Sequence, residues 1–168
     1  MHDTDLLLFG LTLHYPAAAK QIMLAAFIGM MIGAERSWHR KPASIRTFAL
    51  MCSGSCLLTI LSVSIAGASE HYDPGRIAAQ IVTGIGFIGG GVIFKTTDRI
   101  EGITTGAMIF IASAIGMAVG FNEIEIAWWG FTTYMLIHLV GMVVYRLIAA
   151  LRGPEEIHPR GARHSEGD

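Results

Sequence analysis

Three glycines spaced G-x-G-x-x-G, Gly84, Gly86 and Gly89, stand inside the stretch GIGFIGGG. That spacing is the fingerprint of a dinucleotide cradle, where backbone N–H groups at a helix start hold a pyrophosphate. Such a cradle needs a strand before it and a water-exposed helix after it. Here the glycines lie in RIAAQIVTGIGFIGGGVIF, a run of membrane length with no charge after its first arginine. A pyrophosphate at that depth would lose its hydration without compensation. Asp98 and Glu101 stand roughly where a ribose-binding acid would be sought, but in a charged loop where such residues are ordinary. Nucleotide binding is therefore set aside.

Other polar residues offer different chemistry. Asp73, Arg76, Gln80, Gly84 and Phe87 recur at helical spacing and share one face. Asp73 suits a helix N-cap with Pro74 at the first helical position. Arg76 suits an interfacial cation. Gln80 falls about a turn inside the apolar zone, where an amide wants an interhelical partner. The line is either structural glue or a vestibule leading to the glycines. Glu35 and Arg36 close the first apolar run, with Arg36 and Arg46 both in reach of the carboxylate across a short loop. A carboxylate–guanidinium pair of that kind can be bidentate and fix the loop. Thr104 and Thr105 open a later helix, where their hydroxyls can cap it or bond the 35–47 loop. His138, deep in the last apolar run, reads as a neutral, hydrogen-bonded imidazole. Cys52 and Cys56 share a helix face in a geometry poor for a disulfide, and read as small packing residues. No acid sits at mid-span, and no Walker lysine, H-E-x-x-H or G-x-S-x-G pattern occurs. No enzyme activity, cofactor, metal site or nucleic-acid partner is expected.

The elements that must carry these residues are membrane helices. The apolar set makes up 52% of the 168 residues and DEKR only 15%, against about 25% in soluble domains. Apolar runs at 17–34, 47–68, 77–94, 103–121 and 126–149 predict an all-α, polytopic bundle of about five transmembrane helices. The acidic start MHDTD does not suit a signal peptide. Ten of the twelve basic residues fall on one side of this arrangement. The positive-inside rule then puts the amino terminus outside and the carboxyl end in the cytoplasm. Trp128 and Trp129 suit the outer aromatic belt. Ser44 and Asn122 suit caps of the second and fifth spans. Residues 1–150 form the membrane domain, and the polar 151–168 reads as a flexible cytoplasmic tail.

In this setting the glycines acquire another use. Gly29 and Gly33, Gly86 and Gly90, Gly102 and Gly106, and Gly116 and Gly120 all form G-x-x-x-G pairs, which let helices approach closely. Together with Gly84, Gly89 and Gly91, those of the third span predict a contact track. The alternative is a locally unwound helix lining a small cavity.

The stretches GMMIGAERSWHRKPASIRT (29–47), DPGRIAAQIVTGIGFIGGGVIF (73–94) and GITTGAMIFIASAIGMAVG (102–120) resemble the MgtC/SapB family of bacterial inner-membrane proteins. The family pattern runs G-x-x-x-G-x-E-R, K-P-A-G-x-R-T, D-x-x-R-x-x-A-Q-I-V-x-G-I-G-F-x-G-x-G and G-x-T-T-A. Ser44 replaces its usual glycine and Gly106 its usual alanine, both small-for-small changes. Some members carry a cytoplasmic ACT-like domain, for which the tail here is too short. The resemblance implies a multi-pass plasma-membrane protein. It also implies a role in low-magnesium adaptation and virulence, through restraint of the F-type ATP synthase by membrane contact. The motif positions it transfers are Glu35, Arg36, Arg46, Thr47, Asp73, Arg76, Gln80, Gly84, Gly86, Phe87, Gly89, Gly91, Thr104 and Thr105. A regulatory protein contacting a membrane partner or its own copies is thus expected. The competing expectation is a small ion or solute channel with a site near the third helix.

Overall fold

The structure, a computed structural model, describes residues 15–38, 43–67, 73, 75–97 and 99–152. Five helices form in order, α1 (Tyr15–Trp38), α2 (Ile45–Gly67), α3 (Gly75–Gly91), α4 (Ile103–Gly120) and α5 (Ile124–Arg152). Between α3 and α4 a two-stranded antiparallel ribbon pairs β1 (Phe94–Lys95) with β2 (Ile100–Glu101). The all-α membrane architecture is the expected one, and α1, α2, α4 and α5 are long and apolar enough to cross a bilayer. α3 has 17 residues. At 1.5 Å per residue it rises about 25 Å, a few ångströms under the roughly 30 Å hydrocarbon core. The third run was expected to stay helical to Phe94. It stops at Gly91, after two adjacent glycines of poor helix propensity, and Phe94 enters the ribbon instead.

The helix ends follow from local chemistry. The Ser44 carbonyl accepts from Phe48 N at 3.2 Å, and Ser44 N donates to the Thr47 hydroxyl at 3.4 Å. This is the backbone half of a capping box. The Asp73 carboxylate accepts from Gly75 N at 2.8 Å and caps α3. Pro74 lies outside the described residues. Asn122 does not cap α5. It sits at φ 66, in the left-handed region, and closes α4. Asn122 N donates to Val119 O at 3.0 Å and Glu123 N to Ala118 O at 2.9 Å. That bond pair is a Schellman motif, with asparagine in the place glycine usually takes.

The chain divides into two compact units, Met1–Thr132 and Thr133–Asp168. In the first, α1 and α4 pack on α2, and α3 packs on α4 and α2. Phe48, Cys52, Cys56, Ile28, Ile109 and Val119 are fully buried between them. Glycine sets the spacing. A methyl added at Gly29 would stand 2.5 Å from the Phe48 carbonyl, and one at Gly33 2.6 Å from Ile45 Cα. One added at Gly120 would stand 2.7 Å from the Cys56 carbonyl, and at Gly116 it would strike the Cys52 carbonyl. Cys52 is thus where α1 and α4 both close on α2, and Cys56 lies under α4. In the second unit, residues 133–152 continue α5 and expose Leu136, Ile137, Leu139, Val140 and Val143. A helix apolar around its exposed circumference has hydrocarbon as its solvent. Within it the His138 ring lies on Tyr134, one turn earlier, with centroids 6.2 Å apart.

Candidate functional site

α3 passes through the G-x-G-x-x-G segment as one continuous helix, so the unwound alternative does not occur. Nor is the whole glycine series a contact track within this chain. Ile81, Ile85 and Gly89 form its buried line. Gly89 meets α4, where a methyl added to Gly106 would stand 2.8 Å from the Gly89 carbonyl. Gly84, Gly86, Gly90 and Gly91 have nothing within 4 Å of an added methyl. They lie beside the buried line rather than on it, Gly84 on one flank and Gly86 with Gly90 on the other. Phe87 is 83% exposed.

On the Gly84 flank, α2 and α3 border a groove of about 440 Å³. Leu50, Leu58, Ile77 and Ile88 give it an apolar wall, Gly54 and Gly84 its floor, and Gln80 a polar edge. Gln80 is exposed on this groove rather than built into an interhelical contact. Asp73 and Arg76 are exposed at the α3 start.

A second cavity, of about 650 Å³, lies at the opposite end, where the ribbon meets the α4 N-terminus. Arg36, Phe94, Arg99, Glu101, Thr104 and Thr105 line it. Arg36, only 7% exposed, donates through Nη2 to the Thr105 hydroxyl at 3.5 Å. This joins the end of α1 to the start of α4. Arg46 is exposed and Thr47 is engaged at the α2 cap. Glu35 is half-buried on α1 beside Arg36. Arg40, Lys41 and Asp98 lie outside the described residues. Arg99, just before β2, binds the Glu101 carboxylate at 2.8 Å along the same strand.

Sequence reasoning missed three contributors. Arg99 and Phe94 reach the second cavity only because the ribbon folds back. Gln21 donates to the Val119 carbonyl at 3.1 Å and the Asn122 side chain at 3.3 Å, tying α1 to the α4 end. Ser55, Thr59 and Ser62 form a buried polar line on α2. Their three- and four-residue spacing was visible, and Thr59 satisfies itself on the Ser55 carbonyl at 2.8 Å.

Comparison with known proteins matches this architecture to a family. SapB of Bacillus subtilis is 42% identical over 111 residues, covering 62% of this chain and 48% of its own length. MgtC of Salmonella typhimurium is 38% identical over 104 residues, covering 62% and 43%. YhiD of Escherichia coli is 37% identical over 134 residues, covering 76% and 62%. The chain spans about half the length of the curated relatives it matches. No solved structure matches it. The sequence profile of the MgtC family covers residues 22–147, α1 through most of α5, and the chain belongs to that family.

Proposed function

We propose that this multi-pass membrane protein is regulatory and works by receiving a helix of another membrane protein in the groove between α2 and α3. The family resemblance points to the F-type ATP synthase as that partner. The supporting observation is the pair of glycines, Gly54 and Gly84, that line the groove with no described residue within 4 Å of a methyl added to either. Two apolar helices that border a groove lined by glycine leave room for the ridge of a third. In a bilayer, close approach and van der Waals contact are what hold such a helix.

A photo-crosslinking side chain at Gly84 should capture a membrane protein, and the adduct should disappear when Gly54→Leu fills the groove floor. Capture of nothing above a lipid-facing control position on α5 would refute the docking reading. Capture of a second copy of this chain would replace the partner by self-association.

The channel reading draws on Gln80, which edges the groove below Asp73 and Arg76. YhiD is named as a candidate magnesium transporter. Among the described residues there is no group of three or more His, Cys, Asp or Glu side chains able to hold a metal. The cargo in this reading is a small ion or solute. Flux through liposomes carrying the purified protein, abolished by Gln80→Leu, would favour it over docking.

A further inference from the structure

We propose that the cavity at the α4 N-terminus is a phosphate site, taking a phosphate mono- or diester against Arg36 and the first N–H groups of α4. This is independent of the docking groove. α4 is 18 residues long, and its N-cap is Gly102, which supplies no side-chain cap. The first intrahelical bond there runs from Gly106 N to Gly102 O at 2.9 Å. The N–H groups of Ile103, Thr104 and Thr105 thus have no intrahelical acceptor, and the helix dipole adds positive potential at the same point. A helix start in this state is a ready anion site.

Arg36 supplies an independent sign of a missing ligand. Its side chain is more than nine-tenths buried, it lines the cavity, and its Nε has no hydrogen-bond partner. Among the described residues its hydrogen bond is to a neutral hydroxyl and is long. A guanidinium taken out of water is costly unless an anion and further hydrogen bonds compensate it. Among the described residues Arg36 meets a neutral threonine there. Arg99 adds a second cation to the rim, and Glu101, the lining acid, is occupied by it. Glu35 does not line the cavity. A planar fork with an open N–H edge, beside three backbone donors, suits a phosphate, whose several oxygens can accept from both at once.

The cavity's other half is apolar, through Phe94, Ile100 and Ile103. Its volume exceeds that of one phosphate. An esterified phosphate is therefore preferred to the bare ion. The ester can come from a soluble metabolite or from the headgroup of an anionic phospholipid.

Both sources are tested on the full chain. In detergent, 31P relaxation of inorganic phosphate and of glycerol phosphate reports soluble binding. In nanodiscs of mixed phosphatidylcholine and phosphatidylglycerol, native mass spectrometry reports which lipid stays bound. Saturable binding of the soluble phosphates, weakened about tenfold by Arg36→Gln and less by Arg99→Gln, supports a soluble ester. No soluble binding, but selective retention of phosphatidylglycerol lost in the same variants, supports a headgroup. Lys20→Gln, which removes the cation near the other end of α1 from Arg36, should leave either signal unchanged. If Arg36→Gln does not fold, Arg99→Gln on the exposed ribbon decides. Absence of both signals, insensitivity to Arg99 and Arg36, or equal loss in Lys20→Gln overturns the proposal.

Discussion

Gly102 and Gly116 hold their positions for different reasons, and the difference is measurable. Gly102 sits at φ 89, where a side chain strains the backbone by roughly 1–2 kcal/mol. A methyl there would also strike the Val92 carbonyl. Gly116 has no unusual torsion, but it lies on the α2 backbone at Cys52. Alanine at either position should lower the thermal midpoint of the purified protein, by an amount equivalent to about 1–3 kcal/mol. Reducing Cys52 to glycine should not rescue Gly116→Ala, because the obstruction is a carbonyl. At this scale the sequence was partly legible. The G-x-x-x-G spacing of Gly29 with Gly33 and Gly116 with Gly120 named true contacts. The same spacing at Gly86 and Gly90 named an open face. Spacing tells which residues share a face, but the direction of that face depends on where the neighbouring helices sit.

α3 shows this most clearly at the scale of an element. Its glycines separate into Gly89, which touches α4, and several with no described residue within 4 Å of an added methyl. Gly89→Leu should therefore lower the thermal midpoint, since the Gly106 backbone lies 3.4 Å from an added methyl. Gly86→Leu should leave it unchanged, because the space beside Gly86 is empty. Should Gly86→Leu destabilise the isolated protein as much as Gly89→Leu, the assignment of faces on α3 is wrong. The ribbon after α3 was not legible at all. Its strands are two residues each, too short for alternation to register. Its Arg99–Glu101 pair is solvent-exposed and worth at most about 1 kcal/mol. The ribbon matters through what it carries to the α4 start rather than through stability.

For the molecule as a whole, composition and charge order fixed most of what formed. Low charge and long apolar runs gave the helices and their order, and ten basic residues on one side predict their orientation. A cysteine at Glu123, in the turn before α5, should react with an impermeant maleimide in intact cells. One at Glu101, in the ribbon, should react only after permeabilisation. Cys52 and Cys56 are buried and leave the background low. The reverse labelling pattern would invert the topology. Tertiary placement was less accessible, because in a membrane every apolar side chain is content facing either lipid or protein. The bond from Gln21 to Val119 also carries a consequence for biosynthesis. Its two ends are 98 residues apart. At about 5–20 residues per second, the ribosome needs roughly 5–20 s to deliver the second end after the first. α1 and α2 can pair as soon as both are made, but the far end of α1 must wait unlatched in the bilayer until α4 arrives. During that interval the nascent chain exposes Gln21 to whatever insertion factor attends it.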